Sequence, residues 1–157
     1  MHSPQQGRRT VLKLFAAAAA AGALGIRPRA ARAADWNKNA FDAKSVEDVV
    51  KALGAGSPAK TDDVSWGTTP AIAENGAVVP VNVTSKIPNT QAIVIIIEKN
   101  PNKLAAHFRF PEATEPAVST RVKMSESSNV HALVNTRDGK WYMATREIKV
   151  TLGGCGG

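Results

Sequence analysis

The amino-acid sequence predicts an all-β fold: an immunoglobulin-like antiparallel β-sandwich, with one short N-terminal helix before it and a flexible C-terminal Gly-Gly-Cys-Gly-Gly arm after it. Three observations lead there. Ala92–Ile97 is an unbroken apolar, β-branched run, as a strand buried on both faces requires. Residues 104–110 and 118–125 alternate instead, setting Leu104, Ala106, Phe108 and Phe110 against Ala105, His107 and Arg109, and Val118, Thr120, Val122 and Met124 against Ser119, Arg121, Lys123 and Ser125. Asn75-Gly76 and Asp138-Gly139 are hairpin dipeptides, because a tight primed turn needs a left-handed backbone that these residues tolerate. About seven short strands result. With one cysteine in the chain, no disulfide can join the sheets, and packing alone must do it.

From the N-terminus, residues 1–33 read as a cleaved twin-arginine signal peptide. Arg8 and Arg9 open a basic segment ending at Lys13, the apolar stretch Leu14–Ile26 follows, and Ala31-Arg32-Ala33 offers small residues for the cut. The apolar stretch is shorter than the ~20 residues of a membrane span. A periplasmic mature chain without membrane attachment is therefore expected. Residues 34–58 hold the helix and a linker. Ser45-Val46-Glu47-Asp48 resembles a capping box, Val46, Val49, Val50 and Leu53 share one helical face, and Gly54 stops the helix. Residues 59–152 are the sandwich domain. It ends in a strand where Ile148, Val150 and Leu152 alternate with Glu147, Lys149 and Thr151.

The formal charge of +7 and the basic pI say little about partners. Six of the 20 basic residues lie in the first 33 positions, which hold no acid, so the mature chain carries about +1. Nucleic-acid binding loses its support. His107 and His131 have no Cys or His at ligand spacing, so neither a metal site nor a bound cofactor is expected. Trp36, Trp66, Trp141 and Tyr142 suit an interface or a core, the core being the commoner role. Folded export without a cofactor then points to a partner subunit.

Residues 153–157 are the arm, and Cys155 is the chain's only cysteine. Gly153, Gly154, Gly156 and Gly157 offer no side chains for docking and are expected to leave the arm flexible and narrow. Cys155 is the third residue after Leu152, a reach of roughly 10 Å at full extension, long enough to enter a narrow channel on another protein. A thiol is both a nucleophile and a leaving group, so Cys155 can take up a group covalently and release it. A free thiol of pKa about 8.5 is mostly protonated at neutral pH, and the terminal carboxylate of Gly157 pushes it further that way. Activation is therefore expected from the proteins that handle it.

The twin-arginine presequence, the segment Ala73-Glu74-Asn75-Gly76-Ala77-Val78-Val79-Pro80-Val81 and the terminal Gly-Gly-Cys-Gly-Gly together make the chain resemble SoxY, the sulfur-carrier family of the bacterial thiosulfate-oxidising (Sox) system. The resemblance spans nearly all of the mature chain. It implies a non-enzymatic carrier that holds thiosulfate-derived sulfur covalently on Cys155, paired as a heterodimer with a SoxZ-like β subunit exported on this chain's signal. It also implies a c-type cytochrome that loads the thiol and a dimanganese hydrolase that releases sulfate. A molybdenum/haem sulfane dehydrogenase is a further partner the resemblance allows. Gly7 precedes Arg8 where a Ser or Thr is usual, and Val11 stands where Phe is. Rival readings are fewer. A thiocarboxylate carrier would need cytosolic activation, and a thiol oxidoreductase a C-x-x-C pair. The alternative is a periplasmic β-sandwich binding module joined to its partner by an intermolecular disulfide at Cys155, for which flanking glycines are unnecessary.

Overall fold

Strand β5 (Thr90–Ile97) is buried throughout except at Gln91, so it needs cover on both faces. Ile93, Ile95 and Ile97 enter one hydrophobic cluster, and Val94 and Ile96 enter a second. The computed structural model describes residues 37–154 and supplies both layers. On one side lies a second sheet; on the other lie two short helices.

The helices are α1 (Lys38–Asp42) and α2 (Val46–Ala52). Helix α2 starts as its sequence dictates, with Ser45 Oγ accepting from the Asp48 N–H at 3.0 Å. It stops at Gly54, whose φ of +74° lets the Ala55 N–H turn back to the Val50 carbonyl at 2.9 Å. Val49 and Val50 are its buried residues. Helix α1 is an addition to the single helix expected. Asn37 caps it and also donates from its side chain to the Ala52 carbonyl at 3.1 Å, tying the two helices together. A five-residue helix has too little periodicity to be read from sequence.

The larger sheet runs β1 (Ala59–Lys60), β9 (Trp141–Leu152), β8 (Ser128–Thr136), β5 and β6 (Leu104–Arg109), with β3 (Ile72–Asn75) also paired to β9. The smaller sheet is β2 (Val64–Ser65), β4 (Val79–Ser85) and β7 (Ala117–Val122). Val79, Val81 and Val83 of β4 face Ile93, Ile95 and Ile97 in the cluster between the sheets. All pairings are antiparallel except two: β1 and β3 each lie parallel to β9. Nine strands thus form the sandwich among the described residues.

Two sequence expectations change here. Asp138-Gly139 does close the β8–β9 hairpin, with Gly139 at φ +80°, but Asn75-Gly76 does not make a hairpin. It carries the chain from β3, in one sheet, to β4, in the other. The alternation of residues 104–110 also breaks, because a register shift between Ile95 and Ile96 places an extra residue in β6. Leu104 consequently packs on the helix side while Phe108 packs between the sheets.

Candidate functional site

β9 is twelve residues long and delivers the chain to its C-terminal segment. Ile148 is fully buried between the sheets, Val150 packs against the same cluster, and Leu152 is 67 % exposed. The core therefore loosens its hold along the last turn of pleat, and backbone contacts take over. The Gly76 N–H donates to the Leu152 carbonyl at 2.7 Å, the Met124 N–H donates to the Gly76 carbonyl at 2.7 Å, and the Gly154 N–H donates to the Met124 carbonyl at 2.8 Å. Gly153 and Gly154, expected to belong to the arm, are thus placed against the β3–β4 connection and the segment after β7. Cys155, Gly156 and Gly157 lie outside the described residues, as do Arg8, Arg9 and Trp36.

The connection itself is braced by side chains. Asn75 Oδ1 accepts from the Ala77 N–H at 2.8 Å, folding the loop back on itself. Asn100 bridges two backbone points after β7, donating to the Lys123 carbonyl at 2.7 Å and accepting from the Ser125 N–H at 2.9 Å. Ser127 Oγ accepts from the Val150 N–H at 2.9 Å. Sequence reading missed the long-range supports from Asn100 and Ser127. Single Asn and Ser residues in loops carry no signal of which distant backbone they meet.

Ile72, Val78 and Leu152 are the exposed large hydrophobic residues among those described, at 63 %, 56 % and 67 %. All three lie on segments that frame the root of the arm. The aromatic candidates for an interface are placed differently: Trp66 and Tyr142 pack against the cluster between the sheets, and Trp141 against the helix-side cluster.

The two histidines among the described residues occupy the helix-covered face of the larger sheet, His107 opposite Val94 and His131 opposite Ile96. His131 Nδ1 lies 2.8 Å from Thr145 Oγ1, and its Nε2 lies 3.6 Å from the Glu98 carboxylate. Burial lowers the pKa of both rings, offset at His131 by Glu98 and reinforced at His107 by Arg109. Glu98 is itself lowered, chiefly by the hydrogen bond from Asn129. His131 and Glu98 line a crevice of ≈ 650 Å³ beside α2, together with Lys44 and Lys103. No group of three His, Cys, Asp or Glu side chains converges at metal-binding spacing among the described residues.

Comparison with known proteins bears on this geometry. Residues 50–155 match the family model described as "Sulfur oxidation protein SoxY". The solved structure of the sulfur carrier protein SoxY from Chlorobium limicola f thiosulfatophilum is 35 % identical, covers 68 % of this chain and 96 % of its own, and superposes with a TM-score of 0.58. A superoxide reductase (neelaredoxin) from Ignicoccus hospitalis is 20 % identical over 64 % of this chain and 86 % of its own, with a TM-score of 0.49. A putative superoxide reductase from Thermotoga maritima is 21 % identical over 52 % and 80 %, with a TM-score of 0.45. No curated protein matches the chain.

Proposed function

Because the chain belongs to the SoxY family, we propose that it is a carrier in sulfur oxidation, not an enzyme, and that it holds thiosulfate-derived sulfur covalently on Cys155 in the periplasm. The observation that carries this reading is the match to the SoxY family model, which extends to residue 155 itself. The geometry supports it. β9 runs from the core to Leu152, and two further residues, the second of them held by the Met124 carbonyl, bring the chain to the residue before the thiol.

The chemistry follows from the thiol. Loading forms an S–S bond between Cys155 Sγ and the outer sulfur of thiosulfate; the thiol proton leaves to water and two electrons pass to an acceptor, here a c-type cytochrome. Hydrolysis then breaks the bond between the outer sulfur and the sulfonate: one water enters, sulfate and two protons leave, and a persulfide remains on Cys155. A dimanganese hydrolase suits that step. A molybdenum/haem sulfane dehydrogenase would act on the persulfide. Throughout, this chain's part is to bear the sulfur and present it. The SoxZ-like β subunit and these proteins meet it at the end of the sandwich where Gly154 leaves the fold, where Ile72, Val78 and Leu152 stand exposed. Arg8 and Arg9 direct export.

Intact-mass spectrometry of periplasmic protein from cells grown on thiosulfate tests the proposal. The expected species lacks residues 1–33 and carries a sulfur adduct that a reductant removes. The Cys155→Ser protein should keep its fold and show no adduct. An adduct on Cys155→Ser, or an unloaded wild-type protein recovered as a disulfide-linked pair, would overturn the reading in favour of the binding module.

A further inference from the structure

We infer that Gly76 is the seat of the arm: it holds the backbone through Gly154, so that the chain pivots after Gly154 and the first two glycines of the terminal motif serve contact, not freedom. The bonds form a closed relay. Gly76 donates to Leu152 and accepts from Met124, and Met124 accepts from Gly154. Met124 is fully buried between the sheets, so the last held residue of the arm is tied to the core through one side chain.

Clearance says why glycine stands at each place. An added Cβ on Gly76 would lie 2.7 Å from the Gly154 nitrogen and 2.9 Å from Val150 Cγ1, besides meeting the Met124 carbonyl oxygen. On Gly154 it would overlap the Gly76 carbonyl and the Ala77 nitrogen, and on Gly153 the Ser125 carbonyl oxygen. None of the three has a left-handed φ, in contrast to Gly54, Gly56, Gly67 and Gly139. Conformation therefore does not require glycine here. Close approach of three backbones does.

The consequence for the carrier rests on the function proposed above. With the backbone held at Gly154, the Cα of Cys155 is about 3.8 Å from the last held Cα. The thiol then leaves the domain at one defined place, and Gly76 is a positioning residue for it. Gly156 and Gly157 alone keep the neighbourhood of the sulfur narrow.

Gly76→Ala, Gly154→Ala and Gly156→Ala in the mature protein test the seat, together with wild type. Amide hydrogen exchange reads the bond to Met124, and a nitroxide attached to Cys155, the chain's only thiol, reads the pivot. In wild type the Gly154 amide should exchange at least roughly tenfold more slowly than that of Gly156. Gly76→Ala and Gly154→Ala should abolish that protection and narrow the nitroxide lines, while amides of β5 stay protected; Gly156→Ala should change neither. If Gly76→Ala does not fold, Gly154→Ala at the partly exposed end of the relay carries the test. An unprotected Gly154 amide in wild type, or unchanged protection and line shape in Gly154→Ala, would overturn the seat. Neither readout depends on sulfur loading, so a failure of the carrier reading would show separately, as a missing adduct.

Discussion

Val49→Ala measures whether the helical layer is part of the carrier domain's cooperative unit or a passenger on it. Val49 is fully buried in α2 and belongs to the cluster of Val94, Ile96, Leu104 and Leu133. Removing two methyl groups forfeits about 1.6 kcal/mol of burial, at about 0.8 kcal/mol per group. The strands beneath are hydrogen-bonded on both sides and cannot close on the gap, so a cavity term of about 1 kcal/mol adds to it. A loss of about 2.5 kcal/mol in a domain of this size should lower Tm by roughly 10 °C. Urea unfolding followed by far-UV circular dichroism and by tryptophan fluorescence is the assay. Trp141 reports from the helix-side cluster and Trp66 from between the sheets. One coincident transition, shifted as stated, is expected. A loss under about 0.5 kcal/mol, or an early transition seen by one probe alone, would refute the reasoning that β5 needs both of its covers.

Stability should fall as the pH drops from 7.5 to 5. His107 and His131 both have lowered pKa values in the fold, so the unfolded chain takes up protons first below about 6.5 and is favoured by at most ~10-fold per pH unit per histidine. Urea midpoints at the two pH values check this, and His131→Gln should flatten the slope even though Glu98 and Glu47 near the ring partly favour its charged form; a midpoint that rises towards pH 5 would contradict it. Gly139→Ala should cost about 1 kcal/mol by thermal unfolding, because the hairpin holds this residue at φ +80° with open space around it. Replacing Arg8 and Arg9 by Lys should strand the chain in the cytoplasm together with its partner subunit, as cell fractionation would show; normal periplasmic recovery of that subunit would rule out shared export.

What the sequence made legible follows the range of each interaction. The α2 cap, the Gly54 stop and the Asp138-Gly139 hairpin were readable because each is decided within a few residues. β5 was readable because five consecutive residues, Ile93–Ile97, are fully buried, and only a doubly covered strand tolerates that. The layer that does the second covering was not: α2 was expected, but nothing in Val46–Ala52 says which sheet face it will cover. The β6 bulge was invisible for a related reason. An extra Ala105 in an apolar run changes no local preference, yet it turns Leu104 to the other face. At the C-terminal end the family stands plainly in the terminal motif, while the supports from Asn100 and Ser127 depend on pairings far apart in the chain.

Glycine is where local reading is most misleading, since the same missing Cβ signals freedom or close contact. Gly76 beside Asn75 has the composition of a turn, and Gly153-Gly154 beside Cys155 has that of a tether. Their partners decide otherwise: the two segments meet backbone to backbone, with no side chain able to stand between them. For a carrier the difference matters physically. A tether released early spreads its thiol over a volume that grows with each free residue, and the effective concentration at a docked enzyme falls accordingly. On the function proposed above, holding the backbone through Gly154 would confine that volume. The segment around Gly76, remote in sequence from the thiol, would then be tied to the terminal motif through contact: a larger residue at position 76 would move the place from which the sulfur is offered without touching the sulfur's chemistry.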